Sequence, residues 1–353
     1  MDTAAQGSDN SSNQDQISKL RDLVNKVSLP SGLTEKLNEH LDRLARAIAS
    51  SGYKIEFDRE FEYIQFVATL PFNKSSEDIL DLTTAAQILD KYHFGLRAAK
   101  ERILEYLSVL ILNARQGKSF HSSVLFFVGL VGSGKTSLAY SIAESLGRKI
   151  IRIPFGGLGS VKELRGQSRV RAEAEPGRLI QSIQSVGVNN PVILLDELDR
   201  VATESRADVM GVLVELLDPE QNSTFLDHYV DYPFDLSKVL FIGTANNTAN
   251  IATAVMDRLE MIEMPSYSDE EKITIGRDYI LPKVLKESGL PEGTVALDVA
   301  LWPQIVRPLG YDGGIRSLQR TIQGVVRKVA KEVVQGNFGP YNLTGENISR
   351  YLG

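Results

Sequence analysis

Cysteine is absent from the chain. Its absence excludes disulfides, a thiolate nucleophile and a cysteine-bound zinc site, and it fits a reducing compartment, so a cytoplasmic location is expected. No apolar run approaches the ~20 residues of a membrane-spanning helix. Positive charge is not in surplus either. The formal net charge is -6, which provides no electrostatic footprint for nucleic acid or for a membrane surface. The opening segment MDTAAQGSDNSSNQDQ, residues 1–16, has no basic residue and no apolar core. It is therefore neither a secretory signal nor an Arg-rich transit peptide, and its composition predicts a disordered tail. What is there is ordinary for a soluble globular protein: 42% hydrophobic and 24% charged residues in 353. That length suffices for two or three domains with cores of their own.

Three regions follow the tail. Residues 17–75 read as helices: Leu37, Leu41, Leu44 and Ile48 fall on one helical face, and Pro30-Ser31-Gly32 and Ser50-Ser51-Gly52 read as turns. A second helical stretch runs from Ser76 to Leu112 with a break near His93-Phe94-Gly95. From Ser123 short apolar runs alternate with helical segments. The runs are Val124–Val128, Lys149–Ile153, Val192–Leu195, Val239–Ile242 and Leu259–Met264. Five such runs separated by helices predict an α/β domain, residues 76–265, with a parallel sheet covered on both faces. Ligands of such sheets bind at the carboxyl ends of the strands. Beyond Pro265 the pattern is helical again, predicting a small lid domain over 266–353. Ser268 and Glu271 have capping-box spacing for a helix reaching Ile280.

Two of those strand ends carry chemistry. Gly129-Leu130-Val131-Gly132-Ser133-Gly134-Lys135-Thr136 fits the phosphate-binding pattern G-x-x-x-x-G-K-[ST] between the first strand and a helix over Ser137–Leu146. Glycines let the backbone fold into a nest of N–H groups at a helix N-terminus, where the dipole favours anions. Lys135 would neutralise the β- and γ-phosphates of ATP, and the Thr136 hydroxyl would hold Mg²⁺, with Ser137 completing the loop. The third strand ends in Asp196-Glu197-Leu198-Asp199. Carboxylates at the end of an apolar strand are costly unless they have work to do. Asp196 is expected to position Mg²⁺ through its water shell, and Glu197 to orient the attacking water.

The segments GLRAAKERILEYLSV from Gly95, SLGRKIIRI from Ser145, LLDELDR from Leu194, LLDPEQNSTFLDHYVDYPFDLSKVLFIGTAN from Leu216 and MDRLEMIEMPSYSDEEK from Met256 resemble the ATPase region of Lon-type ATP-dependent proteases. The resemblance runs from Ile64 to Gly353, and Ile17–Asn73 is similar to the helices that precede that region. It implies an AAA+ P-loop fold with a helical lid, ATP and Mg²⁺ as cofactors, and a homo-oligomeric, hexameric ring as the assembly. It also implies roles for further residues. Asn246 matches sensor 1, Arg258 the arginine finger that reaches a neighbouring subunit's γ-phosphate, Arg316 sensor 2, and Phe94 a residue near the adenine.

The sequence departs from the family at several points. Leu130-Val131 replace two prolines in the phosphate loop, which leaves every binding group in place. Arg171-Ala172 stand where the family has an aromatic–aliphatic pair that grips a translocating polypeptide, and Arg206–Gly211 differ in the second pore-facing region. The sequence stops at Gly353, where the family's serine–lysine proteolytic domain would begin. The expectation is a piece of a longer protease or a free-standing relative without proteolysis. Two functions compete: an ATPase motor that remodels unfolded protein substrates, and an adaptor whose assembly is set by ATP and which no longer translocates.

Overall fold

The five apolar runs form one parallel sheet in a computed structural model of the chain, which describes residues 3–50, 54–118, 123–307 and 314–352. Its strands are β1 (Val124–Gly129), β2 (Ile150–Pro154), β3 (Val192–Asp196), β6 (Leu240–Ala245) and β7 (Leu259–Met264), ordered β2-β3-β6-β1-β7. Between β3 and β6 a hairpin is inserted, β4 (Phe225–Asp227) with β5 (Tyr232–Phe234), which the sequence patterning does not announce. Three strands run past the apolar residues into the polar ones: Gly129, Asp196 and Thr244-Ala245 are paired within the sheet. The chemistry-bearing ends are thus held by the ladder itself.

Side chains alternate between two cores, as they must when both faces are covered. Phe126, Ile153, Ile193 and Leu195 face one core, and Leu125, Phe127, Val192 and Leu194 the other. The first core is shared with the amino-terminal helices α1 (Thr3–Lys26), α2 (Ser31–Ser50) and α3 (Lys54–Ala68). Leu37, Leu41 and Leu44 are buried there as their spacing requires, while the side chain of Ile48 and the turn at 51–53 lie outside the described residues. The helix begins at Thr3, inside the stretch 1–16 that composition marks as a tail. Ile17, Leu20 and Val24 anchor it by burial, and extending a helix already nucleated costs far less than starting one.

The second core holds α4 (Leu82–Tyr92), α5 (Arg97–Arg115) and α6 (Lys135–Ser145). Two one-turn helices, α7 (Lys162–Arg165) and α10 (Thr253–Met256), and the longer α8 (Arg178–Val186) and α9 (Arg206–Leu216) complete the α/β body. The break expected near His93–Gly95 is real: Gly95 and Leu96 both adopt left-handed backbone between α4 and α5.

The lid comprises α11 (Asp269–Ile275), α12 (Leu281–Glu287), α13 (Trp302–Val306) and α14 (Arg316–Val334). Ser268 closes the expected capping box with Glu271. The helix does not stop at Ile280; it passes through a π-turn at Gly276–Ile280 into α12. Gly276 makes room for the buried ring of Trp302, whose Cζ3 lies 2.6 Å from where a Cβ would stand. A short parallel pair, β8 (Val295–Leu297) with β9 (Tyr341–Leu343), joins the α12–α13 connection to the segment after α14, which the sequence patterning does not announce.

Candidate functional site

The phosphate loop leaves β1 at Gly129 and enters α6 at Lys135. Gly132 and Gly134 take φ of 82° and 97°, which side chains rarely adopt and glycine adopts freely. Ser133 is buried between them, and its carbonyl accepts the Tyr267 hydroxyl at 3.3 Å. The Ser137 hydroxyl donates to Gly134 O at 2.9 Å and closes the first turn of the helix. Lys135 lies over its own loop, donating to Gly129 O (2.6 Å), Leu130 O (2.9 Å) and Asn246 Oδ1 (3.2 Å). Burial pushes its pKa down, and the carboxylates of Asp199 and Asp196 oppose the shift.

Asp196 and Glu197 are fixed by one hydroxyl. Thr244, fully buried on β6, donates to Asp196 Oδ1 at 2.5 Å and accepts from the Glu197 backbone N–H at 3.0 Å. The other carboxylate oxygen of Asp196, Oδ2, receives Nε and Nη2 of Arg152, each at 2.7 Å. Glu197 has φ 61°. A non-glycine residue in that region stores strain of order 1–3 kcal/mol, here at the turn that aims the carboxylate into the cleft. Its carboxylate meets Arg200 at 3.3 Å. Behind Lys135 the buried Asp199 is approached by the amide groups of Asn246 (3.5 Å) and Asn247 (3.4 Å).

Lys135, Thr136, Asp196, Glu197, Asn246 and Arg316 line a single cavity of about 200 Å³. Two regions far apart in the chain, the α/β body and the start of α14, contribute to it. The Ile315 N–H donates to Gly132 O at 3.1 Å, and a Cβ on Gly314 would run into Val131 O. A larger cavity of about 560 Å³, lined by Ser76, Arg148, Asn190 and Lys238, sits at the opposite, amino ends of the strands and holds none of these groups.

The donors present suit a hard divalent cation. The Thr136 hydroxyl stands 3.5 Å from Asp196 Oδ1 on the cavity wall. No group of three or more His, Cys, Asp or Glu placed to hold a metal ion by themselves occurs among the described residues. An ion here would fill its shell with nucleotide oxygens and water, the usual habit of Mg²⁺.

Two sequence candidates lie elsewhere. Arg258 follows α10 and is bound within its own chain, to Asp218 Oδ2 at 2.7 Å and Ala254 O at 2.8 Å. Phe94 packs toward Tyr279 of the lid, with ring centroids 6.3 Å apart. Beside it His93 is buried against α6, its Nε2 2.9 Å from Ser141 Oγ. Sequence reasoning missed Arg152 and Thr244. Arg152 is a charge among isoleucines and Thr244 lies two residues before Asn246, and only strand register shows that both reach Asp196.

The segment between α7 and α8 is a built loop. Asp227 Oδ2 accepts the Gly177 N–H at 2.7 Å, and Gly166 packs against the same carboxylate. Arg169 lies over the Tyr63 ring at 3.5 Å and pairs with Glu60 at 2.9 Å, so the amino-terminal helices hold one flank. Val170, Arg171 and Ala172 are exposed, Val170 to 95%. The Arg206–Gly211 tract forms the first turns of α9.

Residues 125–267 match the family described as ATPase family associated with various cellular activities (AAA), and residues 286–340 match the Lon protease AAA+ ATPase lid domain. The chain is 43% identical to the Lon protease of Lawsonia intracellularis over 339 residues, which is 96% of this chain and 40% of that protein. It is 41% identical to that of Desulfovibrio desulfuricans over 340 residues (96% and 38%) and 39% identical to Lon protease 2 of Herpetosiphon aurantiacus over 338 (96% and 41%). It therefore spans about two fifths of the length of the curated relatives it matches. No helix among the described residues is long and apolar enough to cross a membrane.

Proposed function

From a chain that is, by its AAA domain and its lid, a Lon-type AAA+ ATPase module, we infer that the cleft between body and lid binds ATP with Mg²⁺ and hydrolyses it. In this reading a cytoplasmic homo-oligomeric ring, hexameric as the resemblance implies, couples hydrolysis to remodelling of unfolded proteins. The observation that carries it is the convergence of Lys135, Thr136, Asp196, Glu197, Asn246 and Arg316 on one cavity.

The phosphates of ATP enter over the N-terminus of α6, where Gly132 and Gly134 turn the loop inward. Lys135 exchanges its carbonyl partners for β- and γ-phosphate oxygens, keeping Asp199 behind it as counter-charge. Mg²⁺, held by Thr136 and through water by Asp196, would offset charge on those oxygens. Glu197 orients and polarises the lytic water, and Asn246 helps to place it. Arg316 reaches the phosphates from the lid. Phe94 lies toward the adenine side. Arg258 is the group supplied to a neighbouring subunit: within its own chain it is turned to Asp218, away from the cavity.

An adaptor that only assembles on ATP is the less favoured reading. It draws support from Arg171-Ala172 at the exposed loop, but it gives no role to the strained Glu197. A steady-state ATPase assay with a fluorescent-nucleotide titration decides the matter. Lys135→Ala should lose nucleotide binding, and Glu197→Gln should keep it while turnover stops. Equal nucleotide affinity in Lys135→Ala and the parent protein would sink the assignment.

A further inference from the structure

Arg152 has no part in the phosphate-binding pattern, yet it commits two N–H groups to a single oxygen of the carboxylate that faces Thr136. It does so from β2, the edge strand, with its own side chain half exposed, while that of Asp196 is 5% exposed. The two carboxylate oxygens are divided between partners. Oδ1 belongs to Thr244 and the Thr136 side of the cavity, and Oδ2 belongs to Arg152.

We propose that Arg152 is a positioning residue that sets how strongly the divalent cation binds with nucleotide, by acting as a fixed competing cation on Asp196. The inference rests on the nucleotide reading of the cleft. Two effects of Arg152 oppose each other, and the geometry decides between them. Holding Oδ2 orients the carboxylate, which would aid the metal. That orientation is already imposed by the buried Thr244 hydroxyl at 2.5 Å, so losing Arg152 forfeits little of it. The second effect is charge. A guanidinium on one oxygen of a carboxylate withdraws negative potential from the other, and a divalent ion at Thr136 must bind beside that cation. Lys135 and Arg316 also line the cavity, but Arg152 is the cation paired directly with Asp196. The net effect of Arg152 is therefore antagonistic: it keeps metal binding weaker than the acidic cluster alone would make it. It also keeps the buried Asp196 paired, so the carboxylate never stands uncompensated at low metal.

The test is a thermodynamic cycle with mant-ADP as the probe, its affinity measured in EDTA and in saturating Mg²⁺. The ratio of the two dissociation constants reports the coupling between nucleotide and metal on the protein, independently of turnover. Arg152→Gln should raise that ratio about tenfold, within the range of ordinary site–site coupling. Arg152→Lys, which keeps the charge, should return it toward the parent value. Arg152→Met is the second charge-removing variant should the Gln form not fold. A residue that only braced the sheet edge would alter stability and leave the ratio alone. An unchanged or lowered ratio in a folded charge-removing variant overturns the proposal while leaving the nucleotide site standing. Failure of the parent protein to bind mant-ADP at all would overturn the nucleotide reading first.

Discussion

Acidification should strip stability from this protein at one identifiable histidine. His93 is 5% exposed between the α4–α5 turn and α6, and its pKa is pushed down from 6.5 to about 4 by burial and by the Lys100 ammonium. The folded protein therefore holds the ring neutral where the unfolded chain protonates it. The unfolded state binds more protons throughout the window from pH 6.5 down to about 4. Stability is thus complete above that window and falls as pH drops through it. The full loss approaches about 3 kcal/mol, from a shift of roughly two and a half pK units at 1.36 kcal/mol each. Between about pH 7 and pH 5 the loss should be about 2 kcal/mol. The assay is urea unfolding at stepped pH for the parent chain and for His93→Gln, which can still pair with Ser141. Other groups titrate with either sign: burial raises the Asp227 pKa, while the hydrogen bond from His40 and the charge of Arg169 lower that of Glu60. They are common to both proteins and cancel in the difference. A parent-minus-variant difference that stays flat to within about 0.5 kcal/mol across the window would refute a buried neutral His93.

Three further outcomes are expected. Thr244→Val keeps the shape of a fully buried side chain but orphans the Glu197 N–H and leaves Asp196 Oδ1 only the 3.5 Å contact of the Thr136 hydroxyl. It should cost about 1–3 kcal/mol in unfolding free energy and lower turnover more than nucleotide affinity; unchanged turnover would show that the hydroxyl does not hold the acids. Arg258→Ala should bind nucleotide normally yet turn over about a thousandfold more slowly. Mixing it with Glu197→Gln should restore activity, and co-assembled mixed rings without rescue would count against a shared site. Gly177→Ala places a Cβ well inside contact of Leu164 O, so urea unfolding should show a loss of about 1–3 kcal/mol. A loss below about 0.5 kcal/mol would mean that the loop yields.

The sheet was legible because buried parallel strands are written as continuous apolar runs, and a run such as Val192–Leu195 has few other uses. The ends of the runs were less so, because Asp196 and Thr244 continue the ladder despite their polarity. The phosphate loop could be read because its chemistry demands glycines and a lysine at fixed spacing. Arg152 could not be read that way. Its meaning depends on the neighbouring strand and the register between them, and a one-dimensional pattern contains neither. The hairpin and the β8–β9 pair were invisible for a related reason: strands of three residues carry too little periodicity to stand out. The roles of Arg258 and Phe94 came from resemblance to a family. The structure gives their present partners, Asp218 and Tyr279.

The hydrogen bond from Ile315 to Gly132 ties the lid to the phosphate loop through backbone atoms alone. Among substitutions at Ile315 only proline, which has no N–H, removes the donor itself, and a rotation of the lid as a rigid body would change the bond. Gly314 lies so close to Val131 that a Cβ there would fall 2.2 Å from Val131 O. A swing of α14 must therefore either drag the loop's glycines with it or strip Gly132 of its partner. A force on the lid would therefore reach the glycine loop through the main chain itself.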